Sequence, residues 1–482
     1  MGMDGHGVLG MIAPRAFAIA TGSQDSEGDG IYAGEMNIKE AATVYSLLGA
    51  SHNLSLLPRQ GDHHGYVSLT AYFDYFDRAL GRRVRAAAAA PPPPMPPLVT
   101  PAGFSLAEWI ASSGASRADA PPPNAPLPRR VAWLLDSNAT TQLPTSFGIP
   151  DSYCEESISA PDEWARLLMG HEGGTITQHG ANITSTPFGF GTYVTGTAFY
   201  DATAIARRAW PSGAAPAVVW LHGYNYNRGY DTHGNNSAAF LDLVVRGYVV
   251  VCYDMVGFGM RVREGGSGFY QRYAHGASLL GKMVADATAV IDALYCFSPQ
   301  GRDDAKCFHA GSNPSPKRLE SIPAVDYGKV LLAGYAVGGA VALHAAALDS
   351  RVAGVASIAG FTPMRTDVAT RPTGGLRRLA EMHALAPRLG LFLGDEAALP
   401  YDYGDLLDAV APRPTLLYTP MHDRDATFAD VAACVDAARA AWAKHGAEGR
   451  LSNPRPDDYT RISPGAVTAL LAWADAATAA NA

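Results

Sequence analysis

The chain has 482 residues, 48% of them hydrophobic, enough for a large core and, at about 150 residues per domain, for two or three domains. A formal net charge of −8, with acidic and basic residues interspersed, argues against nucleic acid or an anionic membrane as partner. No run approaches the roughly 18 apolar residues of a membrane span. The five cysteines (Cys154, Cys252, Cys296, Cys307, Cys434) lack metal-ligand spacing, so no metal or other cofactor is expected.

Cys296 and Cys307 bracket a polar insertion and are either one disulfide or two free thiols. Asp4, Pro14 and Arg15 interrupt any hydrophobic leader, so a signal peptide is not expected at the N-terminus. Asn-x-Ser/Thr sequons at Asn53, Asn138, Asn182 and Asn235 leave the compartment open, and the oligomeric state is equally open.

Residues 1–82 read as strand, helix, strand, helix. Ala16–Thr21 and Leu54–Leu57 are the strands, Asn37–Leu48 and Ser68–Leu80 the helices. Two strands bury too little to stand alone, so this piece is expected to dock, with Phe17, Ile19, Leu54, Leu56, Tyr72 and Phe76 as its buried face. Residues 83–130 hold an Ala run and proline clusters at Pro91–Pro94 and Pro121–Pro123, the composition of a semi-rigid linker.

A larger unit is expected over residues 131–482. Thr175–Tyr200 alternates like two antiparallel strands. Beyond it, apolar strands (Ala217–Leu221, Tyr248–Tyr253, Val330–Ala333, Val352–Ile358, Thr415–Tyr418) alternate with helices (Ser237–Val245, Gly281–Tyr295, Gly339–Leu348, Phe428–His445). Continuous apolar strands separated by helices predict an α/β fold with a mainly parallel, doubly wound sheet.

The chain also repeats itself. DGHGVLGMIAPR (Asp4–Arg15) parallels DYGDLLDAVAPR (Asp402–Arg413) at an offset of 398. In that register Asp25 lies opposite Asp423, and, with a small slip, His63 lies opposite Tyr459. Residues 1–82 therefore read as the closing part of a second, partial copy.

At the centre of the larger unit stands Gly334-Tyr335-Ala336-Val337-Gly338, between an apolar strand and an Ala-rich helix. G-x-S-x-G in that setting is a nucleophile elbow, a strained turn that lifts a serine above the sheet. Here alanine takes the serine's place, and a methyl group cannot attack a carbonyl. The five residues alone are equally a tight strand-to-helix connection, but the small-residue helix and the second apolar strand that follow favour the elbow. An elbow also predicts unfavourable backbone torsion at Ala336.

With the elbow, Leu221-His222-Gly223-Tyr224, Tyr253–Gly259, Gly360–Asp367 and Ala411-Pro412-Arg413-Pro414, the larger unit resembles the α/β-hydrolase superfamily, in particular the acetyl xylan and glucuronoyl esterase-like (dienelactone-hydrolase-like) proteins. The resemblance implies a carboxylic ester hydrolase working through an acyl-enzyme on small-molecule or carbohydrate esters. It implies that Ala336 holds the nucleophile position and that the N–H groups of Tyr224 and Val337 face the oxyanion. His222 and Gly223 would shape that loop, and Asp423 would be the triad acid or, alternatively, a solvated loop carboxylate. The base position holds Tyr459, a poor base at neutral pH. Asp25 and His63 (or His64) of the partial copy are then candidate acid and base, and His233, His275 and His383 further candidates. As given, the chain is expected to be inactive, its serine removed by engineering or by natural degeneration. The alternative is a non-catalytic hydrolase-fold module that binds a ligand or scaffolds a neighbouring domain.

Overall fold

A computed structural model describes residues 5–22, 38, 41–59, 69–81, 106–135, 174–178, 180–190, 194–224, 229–230, 238–258, 261, 278–299, 301, 322–371, 373–382, 385–423 and 426–479. The chain divides into two compact units, Met1–Ser105 and Leu106–Ala482.

In the first unit α1 (Gly5–Ile12) leads into β1 (Phe17–Gly22). The helical stretch α2 (41–47) follows, then β2 (Leu54–Arg59) and α3 (Leu69–Ala79). β1 and β2 pair in parallel with Phe17 beside Leu54. Leu9, Ile38, Ala41, Tyr45, Ala50 and Leu54 form its small core, with Phe17 packed against them. Phe76, expected to be buried, is 40% exposed. The neighbouring Tyr75 turns inward instead, because its hydroxyl can bond the carbonyls of Phe17 and Asn53 (2.8 and 2.5 Å). The side chains of Ile19, Leu56 and Tyr72 lie outside the described residues.

The expected linker of residues 83–130 is shorter than its composition suggests. Residues from Leu106 onward belong to the second unit, as α4 (Leu106–Ser112) and α5 (Leu127–Leu134). In α5 a proline sits in the first turn, where its missing N–H matters least, and Val131 and Leu134 are buried. Arg130 donates to the Pro400 carbonyl (2.8 Å) and Asp405 (2.9 Å), and Trp133 meets Phe392 edge-on at 6.1 Å. The prolines cap and punctuate these helices.

The second unit is built on a nine-stranded sheet in the order β11-β10-β9-β8-β6-β7-β5-β4-β3. Its strands are β3 (Gly174–Gln178), β4 (Ala181–Phe190), β5 (Val194–Tyr200), β6 (Ala215–Leu221), β7 (Val249–Tyr253), β8 (Val325–Tyr335), β9 (Val352–Ile358), β10 (Thr415–Tyr418) and β11 (Leu451–Ser452). Thr175–Tyr200 holds three antiparallel strands where two were expected, and β8 is longer than Val330–Ala333. From β7 to β11 every pairing is parallel. The helices are α6 (Ala202–Arg208), α7 (Ala238–Val245), α8 (Leu279–Tyr295), α9 (Val337–Leu348), α10 (Tyr403–Val410), α11 (Phe428–Ala443) and α12 (Pro464–Ala479). β6 and β7 are buried along their whole length, as a sheet covered on both faces requires. This is the mainly parallel, doubly wound α/β sheet that the alternating strands and helices predict. Cys296 is disulfide-bonded, Cys252 and Cys434 are free, and Cys154 and Cys307 lie outside the described residues.

Between α9 and α10 a buried histidine, His344, donates from Nδ1 to the Ala340 carbonyl (2.8 Å) and accepts at Nε2 from the Tyr401 hydroxyl (3.0 Å). Burial lowers its pKa to about 4. The unfolded chain protonates this ring near 6.5, so His344 favours the fold fully above that pH, and the benefit shrinks as pH falls toward 4. Denaturant unfolding between about pH 7.5 and 4.5 should show stability falling, with a contribution of up to about 1.4 kcal/mol per pH unit from this ring. His344→Gln should remove that share of the slope, and an unchanged slope would contradict the assignment.

Candidate active site

The site is assembled where β8 turns into α9. Ala336 occupies the turn at φ 49°, ψ −119°, a conformation a side chain rarely adopts. Its N–H donates to the Ile358 carbonyl (2.9 Å), tying the turn to the end of β9. The flanking glycines are there for close approach. A Cβ on Gly334 would stand 2.3 Å from the Gly338 backbone, and one on Gly338 would stand 2.1 Å from the Leu221 carbonyl oxygen. No side chain fits at either position while the helix start packs on the end of β6.

The loop after β6 is set by His222, which is buried. Its Nε2 accepts the Met255 N–H (3.0 Å), so the proton is on Nδ1, which donates to the Gly223 carbonyl (2.7 Å). Burial lowers its pKa to about 4, so the ring is neutral near pH 7. His222 therefore fastens the Gly223-Tyr224 turn to the segment after β7.

One cavity of about 50 Å³ lies against the elbow, and its walls include Ala336, Val337, Tyr224, Asp423, Thr362 and Arg378. The expected elbow, oxyanion-loop and acid positions thus share a single pocket. Val337 is the first residue of α9, so its N–H has no partner one turn back in the helix, and Ala336 supplies no capping side chain. Ala359, also on the wall, is a second non-glycine residue at positive φ (48°).

Two buried carboxylates hold the far wall. Asp402 accepts the N–H groups of Met364 (2.8 Å) and Arg365 (2.9 Å), placing Phe361 and Thr362 over the cavity. Asp367 accepts those of Thr373 (2.7 Å) and Arg377 (2.7 Å), and the next residue, Arg378, reaches the wall. The Arg378 guanidinium lies 5.6 Å from the Tyr224 ring centre, a cation–π contact. Phe361 stacks on Tyr403 at 4.7 Å, and both face the cavity. Phe361, Thr362, Arg378 and Tyr403 are among the wall residues to which sequence reasoning assigned no role. The Gly360–Asp367 stretch marked their neighbourhood without showing that Asp402 and Asp367 buttress it.

At the acid position Asp423 accepts the Thr460 hydroxyl (2.7 Å). Tyr459, at the base position, is 64% exposed and lies against His422, which is itself bonded to Asp457 (2.5 Å). Among the described residues no histidine lines the cavity. Asp25, His63, His233, His275 and His383 lie outside the described residues, as does His64. No cluster of metal-ligating side chains occurs among the described residues.

No protein-family model matches the chain, and no curated protein does. Similar solved structures include glucuronoyl esterases. A carbohydrate esterase family 15 glucuronoyl esterase from Caldicellulosiruptor kristjansonii is 19% identical, over 64% of this chain and 78% of that one, with a TM-score of 0.41. A glucuronoyl esterase from Solibacter usitatus is 15% identical over 64% and 85%, with a TM-score of 0.44. One from Teredinibacter turnerae is 16% identical over 63% and 77%, with a TM-score of 0.43. This likeness assigns no residue a role.

The strain at Ala336 is measurable. Relieving such a conformation is worth about 1–3 kcal/mol, against about 0.4–1 kcal/mol for the extra freedom of an unfolded glycine. Ala336→Gly should therefore raise unfolding free energy by about 1 kcal/mol in urea. A loss of stability would mean the turn is relaxed.

Proposed function

We propose that the second unit is a non-hydrolysing member of the α/β-hydrolase esterases, which binds an ester-derived or carboxyl-bearing small molecule or carbohydrate over Ala336 and leaves it intact. The observation that carries this reading is the pairing at the acid position. Asp423 is engaged by the Thr460 hydroxyl, next to a Tyr459 that is turned to solvent. A serine triad needs a nucleophile, a base within about 3 Å of it and an acid orienting that base. Ala336 lacks the first, and Asp423 already accepts the Thr460 hydroxyl at one of its two oxygens. Loss at two positions favours natural degeneration over a single serine replacement.

We also infer that residues 1–82 are a partial second copy of the closing elements of this fold. Supporting this, Phe17 pairs with Leu54 as Thr415 pairs with Leu451, both in parallel. The Tyr45 hydroxyl donates to the Arg15 carbonyl (2.9 Å), as Trp442 Nε1 donates to that of Arg413 (3.1 Å). Arg15 and Arg413 are themselves partners in the sequence repeat.

The protein should hydrolyse p-nitrophenyl acetate no faster than the oxyanion and binding effects that survive triad removal allow, about a thousandfold to ten-thousandfold over water. Ala336→Ser alone should add no burst of acyl-enzyme. A burst with steady turnover in that variant would show a working base near residue 336 and overturn the degenerate reading.

A further inference from the structure

We propose that Asn182 is an acceptor for an N-linked glycan, attached as the chain passes through an oxidising secretory compartment. The sequence offers four Asn-x-Ser/Thr sequons and does not choose among them. The structure separates the two whose asparagine is described, Asn53 and Asn182.

The first ground is the place of Asn182 in the sheet. Asn182-Ile183-Thr184 lies at the start of β4, the strand beside the outermost strand β3. Gln178 pairs with Ala181, so the chain reverses within two residues, and Asn182 follows directly, opposite Thr177. The turn is open: Gly180 has φ 78°, and a Cβ added to it would meet nothing within 4 Å. Successive side chains on a strand alternate between faces, and here they divide by polarity. Ile183 is fully buried, whereas Asn182 is exposed and Thr184, two residues on, shares its face. Across the hairpin Thr175 and Thr177 are exposed as well. A bulky, hydrated glycan covers this patch of small polar side chains without displacing any of the core. Asn53 differs. Its Nδ2 donates to the Pro14 carbonyl (2.7 Å), and the next residue, Leu54, sits in the core of the first unit. A glycan there would take the same nitrogen that ties Asn53 to Pro14.

The second ground is the chemistry of the cysteines. Cys296 is disulfide-bonded, a state that persists in oxidising surroundings, and those are also where N-glycans are added. The two free thiols among the described residues are shielded: burial pushes up the pKa of Cys252, and that of Cys434 to about 12. Neither offers a thiolate for exchange near pH 7. The donor required is an oligosaccharide carried on a lipid pyrophosphate. Nδ2 of Asn182 forms a bond to the anomeric carbon and gives up a proton, while the bond from that carbon to the pyrophosphate oxygen breaks and the lipid pyrophosphate leaves with the electron pair. Asn182 stands one strand in from the open edge of the sheet, where unpaired backbone groups invite pairing with another chain. A glycan there obstructs that approach.

The test uses the full chain, led into the secretory pathway of cultured eukaryotic cells by a cleavable leader. The secreted protein should be heavier than its sequence mass and should return to it after peptide-N-glycosidase digestion. Digestion in heavy-oxygen water should leave a labelled aspartate at residue 182 and no label at Asn53. Asn182→Gln and Thr184→Ala should each remove that label, while Thr184→Ser should keep it, since the sequon needs only the hydroxyl. Translation of the same chains into microsomes reads the glycan without requiring export, so a variant that folds poorly still gives an answer. An unmodified Asn182 in either system, label at Asn53 in preference to Asn182, or a secreted chain with every cysteine reduced overturns the assignment.

Discussion

A contact between two stretches of backbone governs the second unit: the start of α9 rests on the carbonyls that end β6, with Gly338 at the point of touch. Interior packing leaves no slack for a methyl group there. Because β6 and β8 are adjacent parallel strands, this contact sets the turn at Ala336 beside the loop that carries Tyr224. The strained torsion angles at residue 336 follow, since the chain must leave the strand and enter the helix within one residue. A serine at this turn and the alanine found here would need the same backbone.

The rest of the pocket depends on buried carboxylates that bond to backbone. Asp402 and Asp367 are placed in two different loops, and each accepts main-chain N–H groups from the segment that roofs the cavity. Such bonds to charged acceptors are stronger than neutral ones and hold a loop in one arrangement. His222 does the same for the loop after β6, as a neutral ring bridging two backbone segments. The wall is therefore held in one arrangement by bonds from side chains to backbone.

The sheet was legible because its strands are continuous apolar runs separated by helices of different period. Val218 to Leu221, Val249 to Tyr253 and Val352 to Ile358 could hardly be read otherwise. The elbow was legible for a steric reason, as glycine at residues 334 and 338 signals backbone in close contact. The proline-rich stretch misled, because proline serves equally in a linker and in the first turn of a helix such as α5. Phe76 was expected inside, but its neighbour Tyr75 is buried instead, its hydroxyl bonded to two carbonyls. Thr362 and Arg378 were beyond reach: their importance comes from carboxylates at residues 402 and 367, and sequence spacing does not show which loops those carboxylates brace.

The pairing of Asp423 with Thr460, and the alanine at residue 336 on the same cavity, bear most directly on what the protein does. Intact-mass spectrometry of the full chain after exposure to an excess of an activated aryl ester measures covalent transfer itself, without depending on turnover. A non-hydrolysing pocket predicts an unmodified mass. An acyl adduct formed stoichiometrically and mapped by proteolysis to a residue lining the cavity would contradict it.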